Sequence, residues 1–295
     1  MEMSYAEISM FPIPCFEIKY LKEFKENIIL IPTERKIKDR DEIVKIPCLF
    51  KKNKNSKNIL IIFHCNGTDI FETFKAIHNF SEQYNINILI PEYPGYSIYK
   101  YCLPSSKTIL DNSIMVYDYV LKNMKNIAEK NIYVLGRSLG TGPAVYLSSK
   151  RNPAATILIS PFTTFAAVGK PHEDDKEFLL TQFRSIDYID KLNNPLLIIH
   201  GKIDPTINYN EAIQLYEKAG KNIIKEIKLV DNMPHILFLS ELKKDVIPLI
   251  IDFVDKHCPL NNNSNKIDID FDKGIFITDE EYKKTIFNYC GEEEI

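Results

Sequence analysis

Three residues of this chain have the types and the order that acyl transfer needs: Ser138, Asp204 and His235. Ser138 lies in Ile132-Tyr-Val-Leu-Gly-Arg-Ser-Leu-Gly-Thr-Gly-Pro143, where an apolar, β-branched run meets small residues and then a helix-forming segment. Glycines two places before and two places after a serine let a strand and a helix pass closely. The sharp turn between them lifts the hydroxyl above the sheet edge. A serine hydroxyl is a weak nucleophile at neutral pH, so it needs a base to take its proton and a carboxylate to orient that base.

Six histidines are available for the base. His78 falls in a predicted helix, His172 in an irregular stretch, His200 at the end of an apolar strand and His257 at the end of the last predicted helix. His64 closes a strand and suits a structural role in the loop that follows. His235 sits in Val230-Asp-Asn-Met-Pro-His235, after the last predicted strand, where a parallel sheet carries its sites. For the acid, Asp204 follows the strand ending at His200, although Pro205 also allows a turn or helix-cap role there. Asp231 and then Asp187 are the alternatives. A tetrahedral intermediate also needs N–H donors, expected from the backbone of Leu139, next to the nucleophile, and of Asn66 in His64-Cys-Asn-Gly-Thr-Asp69, with Gly67 second.

These residues need strand ends to carry them, and the hydropathy pattern supplies strands. Residues 27–33 and 42–50 read as an antiparallel pair around the charged turn 34–41. Strands at 59–63, 86–91, 131–135, 155–160, 194–200 and 225–230 alternate with helices at 69–84, 106–124, 139–150, 209–219 and 236–256. Asp69 suits the cap of the first of these helices. Such alternation predicts an α/β chain with a mostly parallel central sheet and helices on both faces. Between residues 162 and 193 only one or two helices fit, for instance 176–183, so the lid is small or minimal. Pro91-Glu-Tyr-Pro-Gly-Tyr-Ser97 either floors an acyl pocket or simply packs.

The same reading divides the chain into an N-terminal arm (1–26), a main domain (27–257), a polar linker (258–266) and a tail (267–295). Two prolines in Met10-Phe-Pro-Ile-Pro-Cys-Phe16 argue for an arm packed on the domain, or for a shallow membrane or partner contact. The tail suits a helix docking through Tyr282, Ile286 and Phe287. A formal charge of −3 gives no electrostatic footprint for nucleic acid, and the Lys51–Lys57 cluster, mixed with Asn and Ser, reads as a solvated loop. The six cysteines, at 15, 48, 65, 102, 258 and 290, include no C-x-x-C pair. No apolar run approaches the ~20 residues of a spanning helix, and the start lacks the pattern of a secretory signal. A cytoplasmic compartment is expected, with peripheral membrane contact left open.

Together, Gly136-Arg-Ser-Leu-Gly-Thr-Gly-Pro143, the His64–Asp69 loop, Pro91–Ser97 and His200-Gly-Lys-Ile-Asp204 resemble the serine α/β-hydrolases. The chain order Ser, Asp, His is the one they use. Within that superfamily the motifs are most similar to the branch that includes the α/β-hydrolase-domain protein depalmitoylases. The resemblance covers about residues 27–257. It implies the α/β-hydrolase fold, Ser138 as nucleophile, Asp204 as acid, His235 as base, Asn66 and Leu139 at the oxyanion hole, and hydrolysis of long-chain thioesters on membrane-attached proteins. Cys65 stands where the family usually has glycine, and Asn232-Met-Pro234 where a glycine commonly precedes the histidine loop. Cys15 stands alone where the branch carries a cluster of cysteines for its own lipidation.

The expected activity is therefore a serine esterase or thioesterase acting on an acyl ester or thioester, with no metal or organic cofactor. The alternatives are a lysophospholipase or monoacylglycerol lipase with the same three residues, and a non-catalytic scaffold.

Overall fold

The computed structural model describes residues 10–14, 17–36, 43–100, 102–237, 242–260 and 275–290. Eight strands form one sheet in the order β1-β2-β4-β3-β5-β6-β7-β8. They are β1 (Ile28–Lys36), β2 (Ile43–Lys51), β3 (Ile59–Phe63), β4 (Asn87–Pro91), β5 (Ile132–Arg137), β6 (Ala155–Ile159), β7 (Leu196–Gly201) and β8 (Lys225–Val230). β2 is antiparallel to β1 and β4, and every other pairing is parallel. This is the α/β-hydrolase fold.

The sequence explains which strands lie inside. β3, β4, β6 and β7 are buried along their whole length, as their nearly continuous apolar runs require when helices cover both faces. β8, Lys-Glu-Ile-Lys-Leu-Val, is half-buried throughout, and its charges suit a sheet edge.

Helices α1 (Ile18–Glu23), α2 (Ile70–Gln83) and α7 (Ile247–His257) cover one face through Leu21, Phe71, Phe74, Ile250 and Phe253. On the other face lie α3 (Ser106–Asn123), α4 (Thr141–Lys150) and α6 (Asn210–Lys218), with Val116, Val120, Ala144, Leu147 and Leu215 inward. Met10 and Phe11 of the arm are buried in this second core. Helix α8 (Asp279–Cys290) docks beside β1. The Ile277 N–H donates to the Ile28 carbonyl, Lys25 pairs with Asp279 and covers the Tyr282 ring, and Lys45 pairs with Glu281. The side chains of Ile286 and Phe287 lie outside the described set.

Strand β1 runs to Lys36, into the expected turn, and two helix boundaries differ more. The insertion helix α5 spans Glu173–Leu180 instead of 176–183. His172 caps it by accepting the Asp174 N–H, and Glu173, Asp174 and Asp175 crowd its positive end. The closing helix was expected from 236, but Ile236 and Leu237 are not helical; a π turn spans Leu242–Val246, and α7 begins at Ile247 with a proline in its first turn. Pro248 has no N–H to donate and would crowd the carbonyl four residues back, so a regular α-helix cannot run through it. Residues 238–241 lie outside the described set, as do parts of the charged turn (37–42) and of the linker and tail (261–274). Between β6 and β7 one eight-residue helix and three single 3-10 turns make a small lid.

Asp69 caps α2, its Oδ1 accepting the Glu72 N–H at 2.9 Å, and it is buried. Burial, with the neighbouring Glu92 carboxylate, pushes its carboxyl up to about 6, against the Glu72 N–H and His64. The native state thus holds a proton that the unfolded chain loses near pH ~4. Between about pH 4 and 6 this residue makes stability fall as pH rises. Asp69→Asn keeps a capping side chain and removes the titration. Denaturant midpoints measured across that window are expected to depend less on pH in the variant.

Candidate functional site

The serine sits where β5 turns into α4 through a 3-10 turn, Ser138–Gly140. Its φ is +51°, the left-handed region that a residue with a side chain occupies only under constraint. The constraint is backbone against backbone. A Cβ on Gly136 would strike the Gly140 carbonyl, and one on Gly140 would strike the carbonyls of Phe63 and His64 at the end of β3.

The candidate acid, Asp204, hangs from β7. Asp204 Oδ1 accepts the N–H groups of Thr206 (2.8 Å) and Ile207 (2.9 Å), an Asx-type turn that fixes the carboxylate. The candidate base, His235, hangs from β8. His235 Nδ1–H donates to Asp204 Oδ2 at 2.7 Å, and Ser138 Oγ–H donates to His235 Nε2 at 3.0 Å. The Asp204 side chain is inaccessible to solvent and that of His235 only 14% exposed. Three residues separated by 97 and 31 positions thus form one line of hydrogen bonds. Burial alone would raise the Asp204 carboxyl. Hydrogen bonds from His200, His235 and the Ile207 N–H outweigh it and hold that carboxyl far below the usual carboxylate range. Asp204 is therefore ionised whenever the imidazole needs orienting.

The alternative acids are elsewhere: Asp231 pairs with Lys202 at 2.7 Å and Asp187 with Arg184. The other histidines are also occupied: His78 with the Lys75 carbonyl, His257 with Glu226, and His200 with the Ile207 carbonyl. Asn66 lies in the loop after β3, its Oδ1 accepting from Tyr96 Oη at 2.6 Å and its Nδ2 donating to the Met10 carbonyl at 2.9 Å. Gly67 has φ +72°. Leu139, the other expected donor, is buried in the 3-10 turn. Tyr93 and Tyr96 are buried against the His64 ring, so they support this loop instead of flooring an open pocket.

Sequence reasoning missed two supports. Arg137 donates from Nη2 to the His235 carbonyl at 3.0 Å, tying the residue before the nucleophile to the base loop. A charge at the end of an apolar strand was the available signal. His200 lies 3.5 Å from Asp204 Oδ2, behind the acid; its burial in an apolar run hid it.

An apolar groove of about 190 Å³ lies between α2 and α7, floored by Leu135, Ile157 and Ile159, with Cys65, Thr68 and Arg137 also lining it. Among the described residues no cluster of three or more His, Cys, Asp or Glu side chains could hold a metal. No described helix is long and apolar enough to cross a membrane.

Solved structures share this architecture. An esterase from Pyrococcus furiosus superposes with a TM-score of 0.60 over 84% of this chain and 98% of that one, at 17% identity, which is a likeness of fold. The chain thus has the α/β-hydrolase fold. By sequence it is similar to alpha/beta hydrolase domain-containing protein 17B of Homo sapiens, 29% identical over 180 residues, 61% of this chain and 62% of the relative. It is also similar to protein 17C of Xenopus laevis, 29% identical over 177 residues, 60% and 56% of the two chains. The matches therefore span less than two thirds of these relatives. No protein-family model matches the chain.

Gly201, at the end of β7, touches the base loop so closely that a Cβ there would strike the Met233 carbonyl. Gly201→Val must push that loop away, and overpacking of this kind costs about 1–3 kcal/mol. A lower Tm is expected, together with broken His235–Ser138 contact, seen by NMR as a changed His235 imidazole environment.

Proposed function

We propose that the chain is a serine hydrolase that cleaves carboxylic esters or thioesters through an acyl-enzyme. The observation that carries this reading is the line Ser138 Oγ, His235 Nε2, His235 Nδ1, Asp204 Oδ2, with links of 3.0 and 2.7 Å. His235 takes the Ser138 proton as Oγ attacks the acyl carbon, and the leaving alcohol or thiol receives that proton. Water, deprotonated in turn by His235, then releases the acid. Asp204 holds the imidazole so that Nε2 is free to accept, and stabilises the charge it acquires. The N–H groups of Leu139 and Asn66 receive the developing oxyanion.

Within this class we favour a fatty acyl thioester, as on a lipidated protein. The similarity to the domain-17 proteins supports it; the apolar groove reaches Cys65 and Arg137, and none of Ser138, Asp204 and His235 lines it. Cys48, Cys65, Cys102 and Cys258 are free thiols, which fits action in a reducing, cytoplasmic compartment. A lysolipid or monoacylglycerol would offer the same acyl chain. A non-catalytic scaffold would have no use for the hydrogen-bonded alignment of the three residues.

Labelling with a fluorophosphonate probe tests the class. Wild type is expected to label and Ser138→Ala to lose labelling; equal labelling of both refutes the reading. A panel of thioesters, lysolipids and glycerol esters, each from acetyl to palmitoyl, tests the substrate. The highest kcat/KM is expected for a long-chain thioester.

A further inference from the structure

The loop that would supply the second oxyanion donor rests on a buried His–Glu pair. His64 and Glu92 side chains are both inaccessible to solvent, with His64 Nε2 3.0 Å from Glu92 Oε1. Glu92 accepts two backbone N–H groups, from Tyr93 at 2.8 Å and Ile70 at 3.3 Å, and the Ser97 hydroxyl. Both oxygens of Glu92 are thus held in place, and Oε1 fixes the Nε2 end of the ring. The other ring nitrogen, Nδ1, lies 3.0 Å from the Cys65 carbonyl, which can only accept. Nδ1 therefore carries a hydrogen and donates to that carbonyl, while Glu92 anchors the ring at Nε2. Its plane is fixed by Tyr93, whose ring centroid lies 4.0 Å away and whose hydroxyl donates to the His64 carbonyl at 2.7 Å.

The Cys65 carbonyl and the Asn66 N–H are the two ends of one planar peptide unit, and no peptide bond in the described chain is cis. Whatever grips that carbonyl sets the direction of that N–H. His64 grips it, and Thr68 Oγ1–H donates to the same oxygen at 3.0 Å. A donor on the carbonyl also polarises the amide, so its N–H becomes a stronger donor.

We infer that His64 is a positioning residue for the oxyanion hole. Anchored at Nε2 by Glu92, it holds the Cys65–Asn66 peptide so that the Asn66 N–H points at the acyl oxygen. This rests on the hydrolase reading above. It extends that reading by giving a role to a histidine that touches neither substrate nor nucleophile.

Steady-state hydrolysis of p-nitrophenyl acetate by wild type, His64→Gln, His64→Asn, Thr68→Val and Ser138→Ala tests it. The Asn amide nitrogen falls where Nδ1 is and can still donate to the Cys65 carbonyl; the Gln amide falls nearer Nε2 and cannot. Losing an oxyanion donor outright costs about 10²–10³ in kcat, so a misaimed one should cost about tenfold. His64→Gln is expected to lose about tenfold in kcat with KM little changed, and His64→Asn to recover most of it. Should both His64 variants fail to fold by circular dichroism, Thr68→Val decides, with a several-fold drop in kcat at constant KM expected. A folded His64→Gln with wild-type kcat overturns the inference, as does an unchanged Thr68→Val where it alone folds. Wild-type turnover that survives Ser138→Ala overturns the hydrolase reading instead, and this one with it.

Discussion

The site depends on a contact that involves no side chain. Gly140 lies against the carbonyls of Phe63 and His64, so the turn that carries Ser138 and the loop that carries Asn66 are held in register by backbone alone. Pairing of β3 with β5 through Phe63 and Gly136 brings the two strand ends level just before that contact. A left-handed serine costs on the order of 1–3 kcal/mol, which only a surrounding that over-determines the backbone can sustain. Here that surrounding is the centre of an eight-stranded sheet, with β3 and β6 flanking β5 in parallel. Ser138 is strained because its neighbours are not free to relax.

Two buried carboxylates at these strand ends behave oppositely, and counting donors explains why. Asp69 receives one backbone N–H and faces the Glu92 carboxylate, so burial wins and its carboxyl rises. Asp204 receives two backbone N–H groups and the His235 imidazole, with His200 behind it, so the donors win and its carboxyl falls. Desolvation disfavours both anions; what differs is the number of hydrogens directed at them. An orienting acid must stay ionised beside an imidazole that gains a proton. The Asx turn at Asp204, which by itself looks like ordinary loop capping, serves that end.

Strand positions and the candidate triad were legible in the sequence because each follows from a strong local rule. Five residues, Gly136 to Gly140, specify a turn, and uninterrupted runs such as Ile59–Phe63 specify strands covered on both faces. Asp204 and His235 were found by being polar at the ends of such runs. Boundaries were less legible where a side chain acts across the chain or a single residue resets a helix: His172 starts α5 early, and Pro248 delays α7. Least legible were the supports. Glu92, His200 and Arg137 act through contacts with residues 28, 4 and 98 positions away, and no periodicity encodes those.

Alternation along β5 explains why Arg137 became one of these supports. Ile132 and Val134 pack into the core beneath α4, while Tyr133 and Leu135 face the other way, toward α2 and α7. The next residue in that second row is Arg137, which reaches the groove side of the sheet one place before the nucleophile. A guanidinium beside so apolar a floor is tolerable only if its head finds acceptors or water. The His235 carbonyl is within reach at 3.0 Å, so the same side chain is satisfied and the base loop is tethered to the elbow. The geometry between Ser138 and His235 is thereby set from both ends. Asp204 holds the imidazole from one side, and the chain neighbour of the nucleophile holds the backbone of the base from the other.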